Sequence, residues 1–340
     1  MKSKIISNAL LISAATFQPL CAQSLGIDCF LPSNEYYSYD SNYGYITGFA
    51  PGIGDDNNAG IHVSGKVWTT SGMKPKYTFK GWATKCVSYV QGSGITGSET
   101  DYDASYWTDT KKALGKATSS DTSDVLVLGD GGSIILGFDR AIRNGAGYDF
   151  CVFENALNDT FLELAFVEVS TDGSHFVRFP NFYLGTKPVG SDGDVGGGVN
   201  DPTLIYNLGS KYRIGYGSGY DLQELADVYS YILDHYDFDT KTAKSSSMFS
   251  TEYMRDFLNN YNYLDLDNVN YVRIADIVGD GKTLDSGGNP IYDAYPTSGT
   301  PGFDLSGVGV LNEVPEAAQC AFIAALSAFA FALLRKRKRA

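Results

Sequence analysis

Apolar and polar residues alternate in short runs through the middle of this 340-residue chain, and turn-forming residues separate the runs. Such β-branched and aromatic runs, punctuated by Gly, Pro and Asp, predict an antiparallel sheet architecture. The central strand candidates are Asp124–Leu128, Ser133–Phe138, Asp149–Phe153 and Ala165–Ser170. Shorter candidates precede them at Ile61–Ser64, Lys66–Trp68, Tyr77–Trp82 and Lys85–Val90.

The sequence after Ala165–Ser170 predicts a hairpin. Thr171-Asp-Gly-Ser174 contains an Asp-Gly turn signal, and the return strand is His175–Phe179. In that strand Phe176 and Arg178 share one face, while Val177 lies on the other. This alternation indicates a sheet with one buried face and one wetter face.

The hydrophobic period changes to that of a helix between residues 221 and 262. Leu222, Leu225, Ala226, Tyr229 and Leu233 follow helical spacing. A second helix is predicted over Thr251–Asn259, with Ser250 or Thr251 as its N-cap. These helices predict a helical insertion between strands.

Two further strands are predicted after the insertion, at Asn270–Ile277 and Gly302–Leu311. The predicted body, residues 61–312, is therefore mainly β: a jelly-roll-like antiparallel β-sandwich with a helical insertion at about 221–262. Residues 23–60, rich in Tyr, Asn, Asp and Gly, are expected to form a loop-rich segment with one strand at Tyr43–Phe49.

The C-terminus predicts a transmembrane helix. Ala317–Leu334 contains no charged residue, and as a helix it would span about 27 Å, close to the ~30 Å hydrocarbon core of a bilayer. The basic residues that follow favour the cytoplasmic side and would stop transfer. They are Arg335, Lys336, Arg337, Lys338 and Arg339. The alternative, a buried core helix, would carry a polar stripe and would not adjoin five cations.

The N-terminus predicts export. Lys2 and Lys4 precede the apolar run Ile5–Leu20, and the small residues Cys21 and Ala22 follow it. This pattern is typical of a signal peptide, here residues 1–22. An alternative is that the protein is a lipoprotein with Cys21 as the lipidated residue, although the residues before Cys21 match a lipoprotein cleavage site poorly. The body would then lie outside the cytoplasmic membrane, anchored in the inner membrane before processing and destined for the cell surface or extracellular matrix.

Charge narrows the possible partners. The chain has 26 Lys and Arg against 39 Asp and Glu. Removing both predicted targeting ends takes away seven cations and only Glu316 among the anions, so the body carries a charge of −19. Such a body repels nucleic acid and attracts divalent cations; the alternative is that acidity serves solubility alone.

Three cysteines remain in the body after the ends are removed: Cys29, Cys86 and Cys151. An odd number allows one disulfide at most in an exported protein. Cys151 belongs to an apolar run and is expected to be a buried free thiol. Cys29–Cys86 is therefore the one disulfide proposed for testing.

The sequence contains no recognisable catalytic motif. His62, His175 and His235 are isolated, so no zinc site is expected. The GSGITG segment at 92–97 has dinucleotide-loop spacing but lacks a surrounding βαβ unit, and no GxSxG nucleophile motif is present.

The Asp- and Gly-rich segment from Asp276 to Asp304 predicts a calcium site. Calcium takes six to eight oxygen ligands, which a glycine-rich loop can wrap around the ion. The predicted ligands, two of them from the end of a central strand, are Glu154, Asn155, Asp276, Asp280, Asp293 and Asp304. The alternative is that these side chains stabilise turns through hydrogen bonds to their own backbone.

Two features are compatible with a protein that cleaves or binds carbohydrate. An acidic pair could serve a glycosidase, but a sequence does not fix the distance between carboxylates. Trp68, Trp82 and Trp107 could stack on sugar rings, although a place in the sandwich core is the expected role of the tryptophans.

Two resemblances add to this picture. Val314-Pro315-Glu316, followed by the apolar run and the basic end, resembles the PEP-CTERM sorting signal, with Ala317 where that family usually has a second proline. The resemblance implies processing by an exosortase and an association with extracellular polysaccharide.

The body from about 100 to 312 is similar to an uncharacterised group of bacterial cell-surface proteins, and in style to discoidin-like, galactose-binding jelly rolls. The matching segments are Tyr106-Trp107, Lys112–Gly115, Leu128–Asp139, Asp149–Asn155, Phe166–Gly173 and Gly302–Leu305. The resemblance implies a fold but no activity.

These observations predict an exported surface or matrix protein with a non-enzymatic binding or structural role, directed towards extracellular polysaccharide. One alternative is a carbohydrate-active hydrolase or lyase, and another is an adhesin for a protein partner.

Overall fold

The computed structural model describes residues 77–96, 102–118, 121–156, 161–190, 205–212 and 214–315, together with the backbone of four strands before them. Those four strands form an antiparallel meander in chain order. They are β1 (Ser38–Asp40), β2 (Gly44–Pro51), β3 (Asn58–His62) and β4 (Val67–Thr69). The single strand expected at 43–49 corresponds to β2, and the structure adds two neighbouring strands within the segment expected to be mostly loop.

One five-stranded antiparallel sheet has a face with polar, partly exposed side chains, which is the wet face that the sequence predicted. Its strands are β6 (Lys85–Val90), β8 (Ser133–Ile142), β10 (Ala165–Ser170), β11 (Val177–Arg178) and β17 (Val269–Asp276). Their spatial order is β11-β10-β17-β8-β6. Along β10, Val167 and Val169 belong to the main hydrophobic core, whereas Glu168 projects from the opposite face towards Arg178.

A second antiparallel sheet is apolar almost throughout. It contains β5 (Gly81–Trp82), β7 (Leu126–Val127), β9 (Phe150–Glu154), β14 (Ser218–Tyr220) and β20 (Asp304–Val310). The order is β14-β9-β20-β5, with β7 also pairing with β20. Every residue of β9 and β20 is buried, as expected for strands covered on both faces.

The two sheets share one core. Val167 and Ile274 from the first sheet belong to the same buried cluster as Val152 and Val308 from the second. The protein is therefore mainly β, with antiparallel sheets and few helices, consistent with the predicted β-sandwich.

Two short helices were not predicted, α1 (Ala104–Trp107) and a 3-10 helix (Thr110–Ala113). The two predicted helices lie near their expected positions, as α2 (Gln223–His235) and α3 (Thr251–Tyr261). Ser250 caps α3, because its side chain accepts a hydrogen bond from the Tyr253 backbone N–H, as predicted.

The buried face of α2 differs from the predicted face. Leu225, Val228 and Ile232 are buried, whereas Leu233 is 45% exposed. The apolar stripe follows the 3–4–residue steps from Leu225 through Val228 to Ile232, which turns Leu233 towards solvent.

Three two-stranded ribbons complete the described secondary structure. They pair β12 (Phe182–Tyr183) with β13 (Ile205–Tyr206), β15 (Tyr236–Asp237) with β16 (Thr242–Ala243), and β18 (Asp280–Leu284) with β19 (Pro290–Tyr292). Within the described residues, no helix is long and apolar enough to cross a membrane. The predicted span 317–334 and signal peptide 1–22 lie outside the described residues.

Candidate functional site

Five buried carboxylates gather at one end of the sandwich, where strands of both sheets begin or end. They are Glu154, Glu163, Asp276, Asp293 and Asp304. Pairing of β9 with β20 brings Glu154 opposite Leu305, beside Asp304, and pairing of β10 with β17 brings Ala165 opposite Asp276. Antiparallel topology therefore collects acids that are up to 150 residues apart in the chain.

Two of these carboxylates are occupied by the backbone. Asp276 accepts hydrogen bonds from the N–H groups of Gly131 (2.8 Å) and Phe303 (2.7 Å). Asp293 accepts from the N–H groups of Leu164 (2.5 Å) and Ala294 (2.6 Å). Apart from the bond to Ala294, these bonds reach backbone groups at least 27 residues away, so the two residues connect loops to strand ends and do not serve turns of their own backbone, as the alternative expected.

Among the described residues, Asp304 is the carboxylate of this cluster that keeps an unused buried oxygen. Glu154 accepts from the Ser210 hydroxyl at 2.7 Å, and Asp304 Oδ2 accepts from the Asn155 side-chain amide at 3.1 Å. Asp304 Oδ1 is buried and has no hydrogen-bond partner among the described residues, which is unusual for a polar atom in a protein interior. The orphaned oxygen marks the place in this cluster where a donor or a cation would be stabilising.

Burial controls the protonation of the cluster. It raises the pKa of Glu154, Glu163 and Asp304 well above the ordinary range, and the neighbouring carboxylates raise the pKa of each further. Burial also raises the pKa of Asp276 to about 7. Near neutral pH the cluster thus favours bound protons or a bound cation over a full set of bare negative charges.

The predicted calcium ligands are brought together only in part. Asn155 joins the cluster through Asp304, whereas Asp280 lies on the β18–β19 ribbon, where its carboxylate is bonded to the Lys282 ammonium at 2.5 Å. Among the described residues, no three His, Cys, Asp or Glu side chains are arranged to hold a metal ion as they stand. The sequence analysis did not predict Glu163. The feature that could have identified it is an acid between Leu162 and Leu164, immediately before a buried strand.

A second candidate site is a groove of about 730 Å³ on the wet face of the first sheet. Strands β10, β11 and β17 form its floor and α3 forms one wall. The segment Lys282–Gly288 adds lining beside the start of α3, where the Ser286 carbonyl accepts from the Ser250 N–H at 2.8 Å. Its lining is mostly polar and includes arginine, asparagine and acidic side chains. The alternation that predicted a wetter face with Arg178 on it is confirmed.

A row of three charged residues crosses the groove floor. Glu168 lies directly opposite Arg178 on β11 and directly opposite Arg273 on β17. The Nε–H groups of both arginines donate to the Glu168 carboxylate, Arg178 at 2.9 Å. Glu168 is 2% exposed, while each arginine side chain is about one-third exposed, 32% and 34%.

Aromatic rings hold both guanidinium groups in place. The Arg178 guanidinium carbon lies 3.7 Å from the centroid of the Phe166 ring, and that of Arg273 lies 4.4 Å from the centroid of Phe176. Cation–π contacts and the shared carboxylate fix the orientation of the two forks before any ligand binds.

The α3 wall adds further polar groups. Arg255, Asp256, Asn259 and Asn260 line it, and the Tyr253 hydroxyl donates to the Arg178 carbonyl at 3.1 Å, linking wall to floor. Burial raises the pKa of Asp256, and the nearby Arg178 and Arg273 oppose that rise. The groove thus presents donors and acceptors to a polar ligand.

The aromatic residues considered for sugar stacking belong mainly to packing. Trp82 contacts Phe79 and Phe153, with ring centroids at 5.0 and 5.5 Å, and Trp107 is buried. The Trp68 side chain lies outside the described residues. For Trp107 the expected core role is confirmed, whereas Trp82 is half-buried and packs against a smaller buried cluster.

The remaining predicted residues are placed as follows. His175 pairs with Asp172 at 2.7 Å and stacks on Tyr263, and His235 stacks on Tyr231. Cys151 is a buried free thiol, as predicted. Cys86 is also a free thiol in the described part of the chain, and its proposed partner Cys29 lies outside it.

The sorting residues lie at the edge of the described structure. The Val314 N–H donates to the Ala141 carbonyl at 2.9 Å, which ties the end of the sandwich to β8, and Pro315 is the last described residue. Glu316 and the basic residues 335–339 lie beyond it. No protein-family model matches this chain, and no curated protein matches its sequence.

Proposed function

We propose that this protein is an exported cell-surface or extracellular-matrix protein that binds polysaccharide without catalysing a reaction on it. The observation that carries the proposal is the groove with the Arg178–Glu168–Arg273 floor. Its volume of about 730 Å³ lies within the range typical of small-molecule sites, and would accommodate a few sugar units. Its fixed hydrogen-bonding groups suit a hydroxyl-rich ligand.

The proposal includes a route to the surface. The signal peptide 1–22 directs export, and the body folds as a jelly-roll-like sandwich. The helix 317–334, with its basic end 335–339, anchors the chain in the inner membrane. An exosortase recognises Val314, Pro315 and Glu316 and determines whether the mature protein stays anchored. The support for this route is the three-part pattern of the C-terminal sequence.

Calcium is the proposed cofactor, bound at the carboxylate cluster. The supporting observation is the buried, unpartnered Asp304 Oδ1 beside Glu154 and Glu163. Amide and backbone carbonyl oxygens can also coordinate calcium. Modest rotation of the Asp304, Glu154 and Glu163 side chains would therefore complete a site together with oxygens from neighbouring loops. The ion would offset the repulsion between the carboxylates.

A carbohydrate-active hydrolase or lyase is the main alternative. Such an enzyme needs two carboxylates with free oxygens beside the substrate. In the groove, Glu168 is shared between two arginines and Asp285 accepts from the backbone N–H groups of Tyr183, Gly287 and Asn289. These two acids are therefore occupied, and the other two acids of the groove, Glu252 and Asp256, both belong to the α3 wall and do not lie on opposite sides of a ligand, which favours binding over catalysis.

The test is a glycan array probed with the full chain in detergent, followed by a reducing-end assay on every glycan that is bound. Retention without product release supports the proposal. Release of reducing ends would establish the enzymatic alternative. Capture of a protein partner in place of any glycan would favour the adhesin.

A further inference from the structure

We infer that the groove recognises an acidic polysaccharide, and that Arg178 and Arg273 bind the carboxylate groups of its uronate units. This inference rests on the proposed polysaccharide binding and specifies the class of ligand. It requires that the groove present cationic donors that the protein itself leaves unused.

The two arginines retain such donors. Each uses its Nε–H for Glu168, and within the described part of the chain their terminal Nη nitrogens donate to no other residue. A guanidinium fork matches the geometry of a carboxylate and can bind it through two parallel hydrogen bonds. Glu168 therefore orients both arginines and leaves their terminal N–H groups available to a ligand.

The net charge of the row formed by Arg178, Glu168 and Arg273 also favours an anionic ligand. One carboxylate lies between two guanidinium groups, so the three residues together keep one positive charge. Arg255 on the facing wall adds a cation that forms no ion pair within the described residues. By contrast, Lys282 at the far side is bonded to Asp280. A locally cationic floor stands out on a body with a predicted charge of −19, and solubility gives no reason for it.

The pairing of the strands also sets the distance between Arg178 and Arg273. Arg178 and Arg273 flank the central strand β10, and adjacent strands lie about 4.8 Å apart, which places the two backbones on the order of 10 Å from each other. Their guanidinium groups are held on Phe166 and Phe176, so little side-chain freedom is lost on binding. An extended chain that carries repeated carboxylates can contact both arginines at once.

Three other acids lie around the groove, so that with Glu168 its four acids equal its four cations and the positive charge is confined to the floor. Asp285 is bound by backbone N–H groups, and Glu252 is exposed on α3. Asp256 interacts electrostatically with both floor arginines but lies beyond ion-pair distance from them. Asp256 thus acts as a competing anion, and its removal should strengthen binding of an acidic ligand.

The experiment compares uronate oligosaccharides with their methyl esters, which have the same backbone but no charge. Oligomers of galacturonate, mannuronate and glucuronate are titrated by calorimetry into the full chain in detergent. The acid forms should bind at least tenfold tighter than the esters, and their affinity should fall as salt is raised. Asp256→Asn should increase affinity for the acid forms severalfold, whereas Arg255→Gln should lower it.

Arg273→Lys provides a sharper variant, because it keeps the charge but removes the fork, and it should weaken binding of the acid forms by a clearly larger factor than binding of the esters. Lys85→Gln, a surface cation outside the groove, is the matched control and should change neither. Unfolding midpoints of all variants show whether they are folded.

Equal affinity for acid and ester forms, or binding of neutral glycans alone, would overturn the inference and leave polysaccharide binding intact. If no glycan, acidic or neutral, is bound in the array or the titrations, both the inference and the proposed function fail.

Discussion

Glu168 and Arg273 face each other across neighbouring strands, although 104 residues separate them in sequence, and the arginine donates its Nε–H to the carboxylate. Since Arg178 does the same from the other side, one buried acid organises the floor of the groove. The arrangement links the stability of the sheet to the proposed binding surface.

Replacing this acid should destabilise the fold. Glu168→Ala leaves two partly buried guanidinium groups without their carboxylate, and losing such charged hydrogen bonds costs about 1–3 kcal/mol each. We expect a clearly lower midpoint in thermal unfolding. Glu252→Ala on the exposed side of α3 is the control, with a change within about 0.5 kcal/mol. Equal midpoints for the two variants would show that Glu168 does not organise the floor.

Stability without calcium should fall as the pH rises from about 4 to 8. The pKa of Asp149 is raised to about 6 and those of Asp221 and Asp276 to about 7, all mainly by burial. A carboxyl group with a raised folded-state pKa holds its proton more tightly in the folded protein than in the unfolded chain. Unfolding therefore becomes more favourable as the pH passes from the unfolded pKa to the folded one.

The measurement is the unfolding midpoint in chelator across this pH range. Glu163→Gln removes one of the mutually repelling acids of the cluster and should make the decline in the midpoint less steep. A midpoint that rises steadily from pH 4 to 8 would contradict the assignment of these carboxyl groups as buried and protonated.

Calcium should raise the unfolding midpoint at pH 7.5. An ion that binds only the folded state at 100 times its dissociation constant contributes about 2.7 kcal/mol. Asp304→Asn should strongly reduce this gain, because it removes the negative charge of the carboxylate that has the orphaned oxygen. Asp280→Asn, which changes an acid on the surface ribbon, should preserve it. An unchanged midpoint of the wild-type chain with and without chelator would remove the calcium proposal.

Mass spectrometry of the protein from its native host tests the proposed route. The mature chain should begin near Gln23 and should show processing beside Val314–Ala317, with Glu316→Ala blocking the C-terminal event. Recovery of the intact chain from the cytosol, with both ends present, would contradict both export and sorting.

Local patterns predicted much of this sandwich. The strand Ala165–Ser170 was predicted at its observed bounds, because its alternation and the Asp-Gly turn after it are local signals. The wet face also followed from a local signal, the alternation that places Phe176 and Arg178 on one face and Val177 on the other. The cap at Ser250 was readable for the same reason.

The sites were less predictable, because they depend on contacts between distant strands. Nothing near Glu168 indicates that β17, on the far side of the helical insertion, will supply Arg273. Likewise, the spacing within 276–304 suggested one calcium loop, whereas the fold uses Asp276 and Asp293 to bind backbone N–H groups and takes Glu163 from another segment. A sequence shows which acids exist but not which oxygens remain free.

The most direct test of the account is polysaccharide binding by the groove itself. Asn259 is exposed on the α3 wall, so Asn259→Trp should fill the groove without disturbing the core. We predict that the full chain binds glycans on the array without releasing reducing ends, and that Asn259→Trp lowers this binding at least tenfold while the unfolding midpoint is unchanged. Undiminished binding by the filled variant, or release of reducing ends by the wild-type chain, would contradict the account.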